Sequence, residues 1–174
     1  MNIVPLKLEH EAALRGFLDE FAASDETEIN GYFGRPEWTH AETVAAFARW
    51  SDGEPPEEWV SSTTSFLVDE GRILGVSNLR HRLTRHLFEH GGHVGYSVRP
   101  SERNCGHATR LLRDAARKAR RLGIERLRVA CDADNVSSAR VIEKCGGVLE
   151  NEVPTDDAPI RRYWIRLRER GRSL

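Results

Sequence analysis

The chain is poor in cysteine and free of long apolar runs, and each shortage excludes a class of protein. Its three cysteines, Cys105, Cys131 and Cys145, are odd in number and stand in no CxxC or CxxH spacing. That speaks against a disulfide scaffold and against a zinc site, and no metal is expected. No stretch approaches the roughly 18 apolar residues of a membrane-spanning helix. The opening MNIVPLKLEH lacks a basic segment followed by a long apolar one, so it does not read as a signal peptide. A cytoplasmic protein with no membrane partner is the expectation. There is no Ser/Gly-rich linker and no internal repeat. The longest loop-like stretch, Ser51 to Glu58, is too short to separate one domain from another.

What is there is a chain of 174 residues, 39% hydrophobic and 30% charged. These proportions suit one globular domain over 1–174 that buries a core without staples. A net charge of −1 hides an asymmetry. Residues 1–70 hold 15 acidic and 4 basic side chains, a balance of −11, and the remainder carries +10. Such a split fits halves that face partners of opposite charge, or halves that attract one another in the fold.

Periodicity predicts a strand at Asn2 to Leu8 and a helix at Glu9 to Ser24 with Leu14, Phe17, Leu18 and Phe21 on one face. A second helix starts at the cap Thr39, runs to Trp50 and buries Val44 and Phe47. Strands at Thr63 to Asp69 and Ile73 to Leu79 flank a turn at Glu70-Gly71-Arg72. Arg80 to His90 is irregular, and Gly92 to Val98 alternates as a strand stopped by Pro100. Cys105 to Leu122 is the strongest helix, with Leu111, Leu112, Ala115, Ala119 and Leu122 as its stripe. A strand at Arg126 to Cys131 follows, then a short helix capped by Asn135 and ending at Gly146-Gly147. A hairpin, Val148 to Val153 and Ile160 to Leu167, closes around PTDDAP. The sum is a mixed sheet with helices on it.

The informative segment is VRPSERNCGHATRLL, Val98 to Leu112. A strand ends, a Pro turn follows, and a small-residue loop opens into a helix. The first amides of a helix lack internal partners and lie at the positive end of its dipole, so a diphosphate can rest there. Gly106 and Ala108 permit close approach, and Arg103 adds positive charge. The loop is not a Walker loop, since His107-Ala108 follows Gly106, and it lacks the three glycines of a dinucleotide fingerprint.

Arg103-Asn104-Cys105-Gly106-His107-Ala108 resembles the R/Q-x-x-G-x-G/A signature of the Gcn5-related N-acetyltransferase (GNAT) superfamily. Asn135, Ser138 and Glu143-Lys144-Cys145-Gly146 resemble its next block, Asn-x-x-Ser/Ala followed by Glu-Lys-x-Gly. The likeness runs from Ile73 to Ile165. GGHVGYSVRPSER and GGVLENEV look like a bacterial branch of predicted acetyltransferases. The resemblance implies an α+β fold, a three-layer sandwich in which helices flank a mixed, mostly antiparallel sheet with a central splayed parallel strand pair. It implies acetyl-CoA as cosubstrate, held by Val98, by Arg103, Asn104, Cys105, Gly106, His107, Ala108 and Thr109, and by Asn135 and Ser138. It implies direct acetyl transfer to the primary amine of a small molecule or peptide. The alternative is an acyl-CoA-binding sensor without turnover.

Many superfamily members carry a Tyr seven residues after the Asn as proton donor to the thiolate. That position is Ile142 here, which leaves Tyr163, Tyr96 or a water as the acid, or a reaction that needs none. Four histidines crowd one window, His81, His86, His90 and His93, and His is the natural base near neutral pH. His93 opens the central strand with Glu89 just before it; these two and Tyr163 are the catalytic candidates. Arg80 and His81 end the preceding strand and could line the same mouth.

Arg110, Arg113, Arg117, Arg120 and Arg121 form a basic helix face, read as solvated surface or as a contact for nucleic acid or the 3′-phosphate of coenzyme A. Without interleaved aromatics no nucleic-acid partner is expected. Cys105 at a helix N-terminus is a candidate low-pKa thiol. Trp38, Trp50, Trp59 and Trp164 read as core or cleft wall. The acidic clusters Asp25-Glu26-Thr27-Glu28 and Glu54 to Glu58 predict a cationic acceptor. Exposed strand edges in the last hairpin allow a monomer or a homodimer.

Overall fold

The computed structural model describes residues 1–24, 26, 28–155 and 158–167. Asp25 and Thr27 of the first acidic cluster and Asp156-Asp157 of the last hairpin turn lie outside the described residues.

A sheet of four antiparallel strands runs in the order β1 (Asn2–Val4), β2 (Ser62–Asp69), β3 (Arg72–Arg80), β4 (Val94–Val98). A second, three-stranded sheet has β7 (Ile160–Arg166) between β5 (Arg126–Asp132) and β6 (Gly147–Val153). β1 is shorter than its apolar pattern suggests because Pro5 has no N–H for the ladder. The β2–β3 turn holds Glu70 at φ 45° and Gly71 at φ 75°, the paired positive angles that a two-residue hairpin needs.

Helices α1 (Glu11–Ala23) and α2 (His40–Ser51) cover one face of the first sheet. α1 is entered through a 3-10 turn at Leu8–His10 and buries Leu14, Phe17 and Phe21 at helical spacing. A reciprocal cap starts α2: the Glu42 amide donates to Thr39 Oγ1 at 3.2 Å and the Thr39 amide to Glu42 Oε2 at 2.7 Å. α2 buries Phe47 and Trp50, with Val44 only partly covered. Trp38, Trp50 and Trp59 join this aromatic core, whereas Trp164 lies on the second sheet beside Phe88.

Helix α3 (His107–Arg121) covers the opposite face, Leu111 meeting Leu67 and Leu74. Its stripe is as expected except for Leu122, which caps the helix and is half exposed. α4 (Val136–Lys144) packs beside α3 and places Ala139 and Ile142 with Leu112, Leu127, Val129 and Tyr163. The result is three layers, helix–sheet–helix, with the sheet broken between β4 and β5. No helix of the described residues is long and apolar enough to cross a membrane.

Candidate active site

β4 and β5 meet at one point and then separate. The His93 amide donates to the Arg128 carbonyl at 2.7 Å, and the Arg128 amide donates to His93 Nδ1 at 2.9 Å. Beside them Gly92 makes a lone bridge with Val129, of antiparallel pattern. Gly92 has φ 67°, and a Cβ there would stand 2.6 Å from the Arg128 carbonyl oxygen, so only glycine lets the strands come this close. Beyond this junction Val94–Val98 forms one wall of a cleft of about 750 Å³ and Ala130–Asp132 the other. The strands splay apart from this junction, and no parallel ladder joins them.

The N-terminus of α3 opens on one end of this cleft. Asn104 and Gly106 both take left-handed conformations, φ 62° and 82°, which turn the chain sharply into the helix. A Cβ on Gly106 would meet nothing within 4 Å, so the approach is open. Whereas Thr39 caps α2 and Asn135 caps α4, no side chain caps α3. Its first amides are thus left for an anion. Val98, Arg103, Asn104, Gly106, His107, Ala108 and Thr109 all line the cleft, as do Asn135 and Ser138. Cys105 does not; its exposed thiol donates to the Arg103 carbonyl at 3.4 Å. Arg140 and Lys144 add positive charge from α4. Four residues apart, they share a helix face, a signal the sequence carried.

Two side chains at this end are already engaged. Arg103 makes a two-pronged pair with Glu26, at 2.8 and 2.7 Å, and stacks over Phe21. The hydrogen bonds from Arg103 hold the Glu26 carboxyl below the usual range. Asn135 Oδ1 accepts from the Ser138 amide at 2.9 Å. One donor atom each from Glu102, Cys105 and His107 lies within 4.8 Å of the others, although Glu102 also bonds Arg72.

The catalytic candidates fare differently, and none of the three lines the cleft. His93 is buried at the strand junction, where its Nδ1 is occupied. Burial pushes its pKa down to about 4, and the nearby Arg80 and Arg128 act in the same direction. It is a neutral strut rather than a base poised near pH 7. Glu89 points into solvent and bonds Arg85, which lowers its pKa further. Tyr163 is a core residue whose hydroxyl meets Glu143 at 3.4 Å. Ile142 is wholly buried. His81 bonds Thr63, and His86 stacks on His90.

Tyr96, named in the sequence as a second possible acid, does line the cleft. Its hydroxyl reaches across from β4 to Ser138 Oγ on α4, 2.8 Å away, and burial raises its pKa so that it stays protonated. At the end of β4 remote from α3 the lining comes from Arg80, His90 and Gly91, and Glu28 and Asn30 of the loop after α1 line the cleft as well. That loop is pinned to β4 through Gly31, whose amide is 3.1 Å from where a Gly95 Cβ would be. Of the acidic clusters, Glu28 reaches the cleft, Glu26 is bound to Arg103, and Glu54, Glu57 and Glu58 do not line it. Cys131 also lines it, and burial raises its pKa, keeping it a thiol.

A larger hollow of about 970 Å³ lies between α1 and α2. It lies on the α1–α2 side of the first sheet, away from the β4–β5 split and from the α3 N-terminus.

Residues 2–148 match the family profile of the acetyltransferase (GNAT) domain. Among curated proteins no sequence matches the chain significantly. Several solved structures share its fold. An acetyltransferase of the GNAT family from Streptococcus pneumoniae is 19% identical, with 95% of this chain and 98% of that one covered and a TM-score of 0.66. The YncA protein of Salmonella typhimurium, solved with its cofactor acetyl-CoA, is 15% identical over 97% and 94% of the two chains, TM-score 0.64. A variant of the spermidine N-acetyltransferase SpeG from Vibrio cholerae is 14% identical over 96% and 95%, TM-score 0.64. An uncapped helix opening on a split sheet and a family match over most of the length agree: the chain belongs to the GNAT family of acetyltransferases.

Proposed function

We propose that this enzyme transfers an acetyl group directly from acetyl-CoA to the primary amine of a small molecule or peptide. The observation that carries the reading is the uncapped N-terminus of α3, with Gly106 left-handed and open, at one end of a cleft walled by β4. The diphosphate rests on the amides of His107 to Thr109, with Arg140 and Lys144 nearby. The pantetheine arm then runs along β4 from Val98 towards Val94. Asn135 and Ser138 flank the arm from α4.

The acceptor enters at the far end, beside His90 and Gly91. As an ammonium it is attracted by Glu28, and it must lose a proton before it attacks. The ammonium's first proton goes to water, the amine nitrogen adds to the thioester carbonyl and releases its second proton to water, the C–S bond breaks, and the thiolate takes a proton. Tyr96 supplies that proton because its hydroxyl lines the cleft beside Ser138; burial raises its pKa, so it gives the proton up only as the thiolate forms and regains one from solvent. Direct attack is favoured over a thiol relay, because Cys131 is held as a neutral thiol. SpeG, by its name, acts on spermidine, in line with an amine acceptor here.

The test is release of free thiol from acetyl-CoA with a panel of amines. Turnover is expected, and Tyr96→Phe should lower kcat about 100-fold, the usual share of a general acid, with acetyl-CoA affinity unchanged. An unchanged kcat removes Tyr96 as the acid. Binding of acetyl-CoA without thiol release for any amine would leave a sensor in place of a transferase.

A further inference from the structure

Arg80 is a cation that the acetyl-transfer reading does not use. It ends β3 and lines the cleft at the end remote from the α3 N-terminus. Its Nη1 donates to the carbonyls of Gly91 at 3.2 Å and Gly92 at 3.0 Å. The guanidinium lies over the Phe33 ring, 5.8 Å from the centroid. Nη2 is 3.7 Å from where a Gly95 Cβ would stand, beside the β4 backbone. Among the described residues no carboxylate forms an ion pair with it, unlike Arg99 with Glu20, Arg103 with Glu26 and Arg128 with Glu150. Burial without a counter-ion draws its pKa down.

Burying a guanidinium is costly unless an anion completes it. Here one nitrogen is anchored to main chain and the ring of Phe33 fixes the plane, so rotamer freedom is already spent. The Nε–H and Nη2 edge remains, the two-donor edge that suits a planar carboxylate.

We infer that Arg80 binds a carboxylate of the acceptor, and that the acceptor is an α-amino acid or a molecule with the same amine–carboxylate grouping. This rests on the transfer reading above and names its substrate class. A carboxylate on Arg80 sets an amine one carbon away at the start of β4, where the thioester end of the pantetheine arm arrives. Glu28 from the α1–α2 loop lines the same cleft and offers a carboxylate to the ammonium. The zwitterion thus meets one charge of each sign. The same arrangement disfavours a polyamine, which would bring cations to Arg80 and offer it no anion.

The experiment compares the twenty α-amino acids with their carboxamides and with spermidine, using the wild-type protein. Binding is read by thermal shift with coenzyme A present, and turnover by thiol release. At least one free acid should bind and react with kcat/KM 10- to 100-fold above its carboxamide, the range expected for a charge-assisted bond to carboxylate. Arg80→Met should erase that difference and leave acetyl-CoA affinity intact, and Arg80→Lys should restore part of it. Acid and carboxamide equal in binding and rate, or spermidine the best acceptor, overturns the inference while leaving acetyl transfer standing. Carboxylate-dependent binding without thiol release does the reverse. A loss of acetyl-CoA affinity in Arg80→Met would place Arg80 on the cosubstrate and also overturn it.

Discussion

His93 should cost the fold stability in mild acid, by an amount the structure sets. The residue is 7% exposed, and Nδ1 accepts from the Arg128 amide at the junction of β4 and β5. A proton on Nδ1 would face that N–H donor with a donor of its own, beside the guanidinium groups of Arg80 and Arg128. The folded pKa is about 4 against 6.5 for the free side chain. Because the folded value is the lower one, the unfolded chain binds more protons below pH 6.5. The contribution is full above that pH and is lost as pH falls towards 4. At pH 5 the loss works out to about 2 kcal/mol, and its limit at lower pH is ~3 kcal/mol. The control is His93→Asn, whose amide oxygen can accept the Arg128 N–H but does not titrate. Urea unfolding at pH 7.5, 6 and 5 should show the wild-type protein losing about 2 kcal/mol more than the variant between the extremes. His81, whose pKa burial also lowers, contributes equally to both proteins and drops out of the comparison. Parallel declines in the two would refute the strut and reopen His93 as a titrating base.

Two further outcomes follow from the same geometry. Glu26→Gln frees Arg103 for the diphosphate and removes a carboxylate from its neighbourhood. Because both partners are partly exposed, acetyl-CoA should bind only two- to fivefold tighter by calorimetry, an effect that shrinks with salt. Weaker binding would mean that the Arg103–Glu26 pair itself shapes the cosubstrate site. Arg128 is 1% exposed, donates to the Phe88 carbonyl at 2.6 Å and to Glu150 at 2.7 Å, and lies 4.2 Å from the Phe88 ring centroid. Arg128→Met should lower unfolding free energy by about 2–3 kcal/mol, and Glu150→Gln by about 3 kcal/mol because it leaves the buried guanidinium without its counter-ion; a loss under ~1 kcal/mol for Glu150→Gln would contradict this.

Periodicity and capping sufficed for most elements, because those signals act within a few residues. α1, α2 and α3 lie within one to two residues of where their stripes and caps placed them. The cosubstrate end was legible for the same reason. The strand, the left-handed Gly106 and the helix start of Val98 to Thr109 form one contiguous device, and its amides need no partner from elsewhere in the chain. The catalytic residues were not legible. His93, Glu89 and Tyr163 have suitable chemistry and lie near the strand ends. Which face each presents, however, depends on pairings across 35 residues for His93 and 20 for Tyr163. A strand shows alternate side chains to opposite faces, so nothing local says which face meets a cleft and which a core. The sequence by itself determined the family, the element order and the anion-binding loop. Only the tertiary structure decided that His93 is a strut, that Tyr96 reaches Ser138 across the split, and that Arg80 enters the cleft without a carboxylate. Burial and long-range pairing set those roles, and neither is written in any short stretch of chain.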